Sequence, residues 1–345
     1  MLYICNSPYQ LLNAINHKIH FGSIEDDLVI INMFPDSKGM FERIKKSAFF
    51  RDVFYISNPC NDIDKIKQYY YTLFPSSLIR KYTDDFSFLD RTYEKIIVPA
   101  YLSNMTKAIC AYNGKKTNEY IVIEDGVGTY AYGLYKLSNY EIICSKILRK
   151  GIGTCMFSKL LVYDKTLMQV NVGLPIDKMP KIEREDWVLS IFESIYGSSK
   201  GFIFPEKYIF MFESEIYGVT TEMQISILND LANVVGKENI VVKPHPKTDK
   251  VKLKGYKILA GVIPWEVYCL YNNMNEKTIV VMNSTAGFTP NIILGDICRL
   301  VFVNDYSYFD DSSYSDLCKK MQHCFAEKHK GIDIQRISNT SDYHE

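Results

Sequence analysis

A chain of 345 residues is longer than one ordinary domain and predicts about two. Its 40 Lys and Arg residues balance 40 Asp and Glu residues, so no net field draws it to nucleic acid or to an anionic membrane, and no basic stripe marks a nucleic-acid surface. A hydrophobic share of 47%, with 14% aromatic residues, supplies a packed core and excludes intrinsic disorder.

The first half alternates strand and helix. Leu2–Cys5 reads as a strand, Pro8–Phe21 as a helix with Pro in its first turn, Leu28–Asn32 as a strand, Ser37–Phe49 as a helix and Val53–Ile56 as a strand. Ile63–Phe74 carries apolar residues at helical spacing. Lys95–Val98, a helix around Ser103–Tyr112, and Glu119–Ile123 continue the alternation. Short, nearly all-apolar strands such as Ile121-Val122-Ile123 fit a parallel sheet covered on both faces. A less regular stretch from Gly151 to Pro205 holds a strand at Lys159–Tyr163 and a helix around Glu185–Tyr196, and Gly197–Gly201 reads as a linker. The alternation restarts with Tyr208–Phe212, Thr221–Val235, Ile240–Lys243, Pro264–Asn273, Thr278–Met282, a helix over Ala286–Leu294 and Arg299–Val303. It ends on a helix near Ser315–Phe325, with a polar, frayed tail after Lys330. The expected architecture is α/β, two Rossmann-like domains facing across a cleft, over residues 1–200 and 201–345.

Three polar motifs follow strands, where open α/β sheets present ligands. Glu124-Asp125-Gly126 places carboxylates after Glu119–Ile123, within reach of an incoming hydroxyl, and Gly126 and Gly128 permit a sharp turn and a close ligand approach. A solvated Asp-Gly turn explains the same letters. His245, between Pro244 and Pro246 after Ile240–Lys243, can donate a proton or offset phosphate charge; a structural histidine is the alternative. Ser284-Thr285 stands before the expected helix Ala286–Leu294, where free amides and hydroxyls suit a phosphate or simply cap the helix, and Gly287 leaves room for a ligand. Asp62-Ile63-Asp64 matches an Asp-x-Asp metal motif by letter but opens a helix, where Asp caps. Pairs such as Asp26-Asp27, Asp84-Asp85 and Asp310-Asp311 read as solvated loops. No His, Cys or carboxylate spacing fits a metal site, so a metal-independent protein without a cofactor is expected.

The nine cysteines include no C-x-x-C pair, which fits buried reduced thiols in the cytoplasm. The amino terminus lacks the basic and apolar regions of a secretory signal, and no window approaches a membrane span. Peripheral contact with the inner face of the cell membrane stays compatible with the many Tyr and Phe residues.

The order of these motifs, an acidic pair with glycine, His-Pro and a hydroxyl pair, resembles the bacterial sialyltransferases. The opening Cys5-Asn6-Ser7-Pro8-Tyr9-Gln10-Leu11-Leu12-Asn13-Ala14 resembles the amino terminus of glycosyltransferase family 52, which includes the lipooligosaccharide sialyltransferases. The stretch 130–200 carries no part of the resemblance. It implies a GT-B arrangement, with the acceptor and the base on the first domain and the CMP-sugar donor on the second. It implies Asp125 as general base with Glu124 as neighbour or substitute, His245 acting on the leaving CMP phosphate, and Ser284 and Thr285 binding that phosphate. Pro246 and Lys243 flank the histidine on the donor side. Glu266 is the candidate for holding the donor ribose, a position that an exposed helix-start residue explains equally. Ser7 and Gln10, at the first strand-to-helix turn, could reach the cleft beside Gly126, although Ser7-Pro8 also reads as a plain helix start. The implied reaction is inverting transfer of sialic acid from CMP-sialic acid to a terminal galactoside hydroxyl, by resemblance α-2,3, in lipooligosaccharide or capsule synthesis. UDP-glucose or CDP-polyol transfer on the same scaffold and a non-catalytic nucleotide- or glycan-binding module stay open, as does the oligomeric state, a homodimer included.

Overall fold

The apolar runs become two parallel sheets, because strands covered by helices on both faces bury nearly every side chain. The computed structural model describes residues 1–57, 70–149, 151–152, 155, 157–213, 220–245, 253–260, 263–282, 284–303 and 313–337, with the backbone alone at 115, 127, 285, 313–318 and 336. The helix expected over Ile63–Phe74 lies mostly outside them, as do Asp62, Asp64, Pro246 and the pair Asp310-Asp311.

The chain divides into two compact units: residues 1–180 with 185–197, and residues 181–184 with 198–345. The division therefore does not run through 200 alone. Residues 181–184 belong to unit two, where the Arg184 guanidinium pairs with Asp296 and donates to the Cys269 and Leu270 carbonyls at 2.8 and 3.0 Å. The chain then returns to unit one as a helix.

Unit one contains β1 (Leu2–Cys5), α1 (Pro8–Phe21), β2 (Asp27–Ile31), α2 (Ser37–Ser47), β3 (Val53–Ile56), α3 (Pro75–Tyr82), β4 (Lys95–Pro99), α4 (Asn104–Asn113), β5 (Glu119–Ile123), α5 (Val127–Tyr132), α6 (Asn139–Lys146), β6 (Phe157–Val162), β7 (Ile176–Lys178) and the returning α7 (Asp186–Tyr196). Its seven-stranded sheet has the order β3-β2-β1-β4-β5-β6-β7, parallel throughout. Unit two contains β8 (Tyr208–Met211), α8 (Thr221–Val235), β9 (Ile240–Lys243), β10 (Lys257–Ile258), α9 (Trp265–Tyr271), β11 (Thr278–Val281), β12 (Arg299–Phe302), α10 (Ser313–Lys328) and β13 (Ile334–Arg336). Its order is β10-β9-β8-β11-β12-β13, again parallel. Both orders reverse beside their first strand, which is the doubly wound pattern with a ligand crevice at the reversal.

Three expectations are corrected. The tail after Lys330 is not frayed up to residue 337, because Ile334–Arg336 pairs with β12 and the buried Ile332 and Ile337 anchor it. Ala286–Leu294 is not an α-helix; a 3₁₀ turn covers Thr285–Gly287 and a π-type turn covers Pro290–Leu294. Pro290 has no amide proton to continue a helix, so the turns either side of it stay irregular. Before Gly151 the structure adds a helix that the letters did not mark, α6, started by a capping box between Ser138 and Glu141. Asp26 and Asp27 are buried rather than solvated. Asp27 accepts from Arg51, Arg91 and the Tyr93 hydroxyl, and these bonds offset the cost of burying its charge. Asp84 and Asp85 do lie on an exposed turn.

Candidate functional site

In unit one the strand order reverses between β1 and β4, so the residues just beyond β1, β4 and β5 face the crevice. Ser7 caps α1, its hydroxyl accepting from the Gln10 N–H at 3.2 Å, and Pro8 takes the first helical position. For Ser7 the plain helix-start explanation suffices. Gln10 does reach the acidic motif. Its Oε1 accepts from the Asn6 N–H at 2.7 Å, which fixes the amide so that Nε2 donates to Asp125 Oδ2 at 2.7 Å. Asp125 Oδ1 has no hydrogen-bond partner among the described residues. Removal from water drives the Asp125 carboxyl up from 3.8 to about 7, opposed by the Gln10 bond.

Glu124 is the more buried of the two carboxylates, at 1% exposure. The Tyr9 hydroxyl donates to its Oε1, and the Gly126 N–H donates to Oε2 at 2.5 Å. Gly126 adopts φ +79°, ψ −154°, a conformation that L side chains avoid, so the glycine is needed for the turn itself. The Asp125 N–H donates to the Thr129 hydroxyl at 2.8 Å, which ties the motif to α5. Gly128 faces open space. Sequence reasoning missed Asn6. Its side-chain oxygen accepts from the Ser103 and Thr106 hydroxyls at 3.2 and 3.1 Å, while its buried Nδ2 has no hydrogen-bond partner among the described residues. An orphan buried donor at a crevice is one that a ligand or water can satisfy.

In unit two the reversal falls between β8 and β11. His245 follows β9 and is half-buried. Lys243 is buried, with its ammonium 3.4 Å from the Ala260 carbonyl and 5.8 Å from the Tyr268 ring centroid. Glu266 is buried on the first turn of α9, which removes the exposed helix-start explanation. Burial raises its carboxyl to about 7, against smaller opposing effects of Lys243 and of the Thr289 hydroxyl 3.5 Å away.

Ser284 does not stand before an α-helix with free amides. Glu213, two residues past the end of β8, accepts from the Met282 N–H at 3.0 Å and from the Ser284 N–H at 2.8 Å through one carboxylate oxygen. Buried Gln224 holds the Glu213 backbone at both its N–H and its carbonyl, and buried Gln322 donates to the Met282 carbonyl at 2.9 Å. The Ser284 hydroxyl accepts from the Ala286 N–H at 3.1 Å, and the Trp265 indole donates to the Ala286 carbonyl at 3.0 Å. Met282, Ser284 and Ala286 are thus held by Glu213, Gln322, Trp265 and the Ser284 hydroxyl. Thr285 contributes its backbone to the 3₁₀ turn. Gly287 makes no room for a ligand: an added Cβ would lie 2.9 Å from Val281 Cγ1, so the glycine lets the turn pack on β11. Glu213 escaped the sequence reading because a lone Glu after an apolar strand belongs to no motif.

Among the described residues no group of three or more His, Cys, Asp or Glu side chains is placed to hold a metal ion. Seven cysteines are free there, six of them buried. No described helix is long and apolar enough to cross a membrane.

No protein-family model matches the chain, and no curated protein sequence matches it. Solved structures do. The spinosyn forosaminyltransferase SpnP overlays with a TM-score of 0.52 at 9% identity, over 99% of this chain and 86% of that one. Arabidopsis thaliana UGT89C1 gives 0.49 at 10% identity over 97% and 84%, and a glycosyltransferase from Rickettsia africae ESF-5 gives 0.43 at 10% over 96% and 88%. The first of these likenesses, together with the two doubly wound parallel sheets, establishes a GT-B type α/β fold.

Proposed function

We propose that the chain is an inverting glycosyltransferase that moves sialic acid from CMP-sialic acid to a galactoside hydroxyl, with unit one taking the acceptor and unit two the donor. The observation that carries the reading is Asp125. It stands at a strand end beside the sheet reversal, with one oxygen held by Gln10 and a carboxyl tuned to about 7. A base is most effective when its pKa lies near the working pH. Asp125 takes the proton of the acceptor hydroxyl as that oxygen attacks the anomeric carbon. The bond from that carbon to the phosphate oxygen of CMP breaks, and the electron pair leaves with CMP. His245 donates a proton to, or offsets the charge of, the departing phosphate. Ser284 and Thr285 offer hydroxyls to it.

Other residues receive supporting roles. Glu124 shapes the turn through Gly126 and is a positioning residue rather than a second base. Glu213 and Trp265 position the backbone at Met282, Ser284 and Ala286, and buried Glu266 is the candidate partner of the donor ribose. The leaving group is a monophosphate, so His245 and the hydroxyl pair suffice for its charge and the reading calls for no metal. The α-2,3 linkage and a lipooligosaccharide or capsule acceptor come from the sequence resemblance.

A donor panel tests the reading. Nucleotide release should occur with CMP-sialic acid and not with UDP-glucose or CDP-glycerol. Release from UDP-glucose alone would replace the donor while keeping the acceptor half of the proposal. Binding of CMP without turnover of any donor would favour a non-catalytic module.

A further inference from the structure

A cavity of about 430 Å³ opens in unit one against β4 and β5, and its lining is mainly apolar. That volume lies within the roughly 300–1,000 Å³ of small-molecule sites. Val122 of β5 forms part of its wall, three residues before Asp125, so the two Cα atoms are within about 10 Å by strand rise. Ile123 faces the other way, toward Gln10 and Asn13, so the cavity occupies the sheet face opposite α1. Pro99, Ala100 and Leu102 close it at the carboxyl end of β4, the edge where a substrate arrives. Leu134 and Leu137 come from the loop after α5, and Val172 and Leu174 from the loop before β7.

These two loops are fixed against each other. Gly133, at φ +77°, lets them meet, since a Cβ there would lie 3.0 Å from both Val170 and Val172. The Gln169 N–H donates to the Tyr130 carbonyl at 2.8 Å. The cavity is therefore a built space rather than a gap between mobile loops. Its surrounding segments also expose apolar side chains: Tyr101 62%, Tyr132 55%, Leu137 36% and Val170 36%. An apolar rim around an apolar hollow marks a surface that is covered in use. A bare sugar has no need of it.

We propose that this cavity takes an aliphatic chain carried by the acceptor, so that the acceptor is an amphiphilic glycoside whose sugar meets Asp125 on the α1 side while its chain passes over the carboxyl edge of β4 into the cavity on the opposite face of the sheet. The inference rests on the acceptor role proposed for unit one. Aromatic aglycones are the alternative that the lining disfavours, because aliphatic side chains outnumber the two aromatic ones, Tyr135 and Phe157.

The test measures binding apart from turnover. The full chain, without donor, is titrated calorimetrically with methyl, octyl and phenyl β-D-galactoside, the octyl compound below its micelle concentration. Each fully buried methylene is worth about fourfold in affinity, so partial burial still predicts at least a tenfold preference for octyl over methyl. Leu137→Asp and Val172→Asp, on the two loops, should bring the ratio toward one while transfer to the methyl glycoside from CMP-sialic acid is unchanged. Equal binding of methyl and octyl glycosides, a tighter phenyl than octyl glycoside, or a ratio unaltered in both folded variants would overturn the proposal. Transfer to both galactosides with equal KM would keep the proposed function and reject the cavity as a chain site. Tight octyl binding with no transfer from any donor would keep the chain site and reject the proposed function.

Discussion

Gln10→Met separates the tuning of Asp125 from its presence. Methionine matches glutamine in length but removes both polar atoms, so Asp125 loses the donor at 2.7 Å and the Asn6 N–H loses its acceptor. Burial holds the Asp125 carboxyl at about 7, and the Gln10 bond is what opposes a higher value. A hydrogen bond to a charged group contributes about 1.5–3 kcal/mol. Since 1.36 kcal/mol equals one pH unit, the variant carboxyl should titrate about one to two units higher, near pH 8–9. The sign follows from the ionised form being the active base. Removing a donor to that form raises the pKa, so the acid limb of the kcat/KM profile moves to alkaline pH. At pH 7 the ionised share falls from about a half to between roughly a tenth and a hundredth, and kcat/KM should drop about 5- to 50-fold. At about pH 9.5 the loss should shrink to less than about 1.5-fold. The orphaned Asn6 amide should also cost about 1–3 kcal/mol of stability, seen as a lower Tm. The assay is kcat/KM from pH 5.5 to 9.5, with a thermal melt at each end. An equal loss at every pH, or a shift to acid, would refute the assigned role.

Three further substitutions probe the rest. Asp125→Asn should abolish transfer, leave CMP affinity unchanged and stabilise the fold in a pH-dependent way. The native carboxyl titrates at about 7 against 3.8 when unperturbed, so wild-type stability is fully present below pH 4 and is lost as pH rises to 7; the Asn variant should match it at pH 4 and exceed it by up to about 4 kcal/mol at pH 8. Glu213→Ala strips the Met282 and Ser284 amides of their acceptor and should weaken CMP binding about tenfold by calorimetry, whereas Glu213→Gln keeps an acceptor oxygen and most of the affinity; equal losses in both would show that charge, not the hydrogen bonds, matters. Gly287→Ala drives a Cβ to 2.9 Å from Val281 and should destabilise unit two by about 1–3 kcal/mol in denaturant melts, partly recovered by adding Val281→Ala.

The fold was legible because parallel strands covered on both faces write themselves as short apolar runs, and because the helices between them carry local signals such as Ser7-Pro8. The strand-end position of Asp125 was legible for the same reason. Gln10 was placed near the cleft, but not its bond to Asp125, since the two lie 115 positions apart and a long-range hydrogen bond leaves no periodic trace. Glu266 was ambiguous because a Glu on a first helical turn is favourable whether exposed or buried, and only the packing of α9 decides. Glu213 was invisible, since its importance comes from the neighbouring strand β11 and not from its own segment. Ala286–Leu294 was misread as a helix because apolar spacing outweighed Pro290 and Gly287, whose backbone effects prevailed.

The most direct measurement of the proposed chemistry is CMP release from CMP-sialic acid in the presence of EDTA, with and without lactose, by the wild-type chain and by Asp125→Asn. Release should be stimulated by lactose, unchanged by EDTA and abolished in Asp125→Asn. Undiminished release by Asp125→Asn, or no release from CMP-sialic acid by the folded wild-type chain, would contradict it.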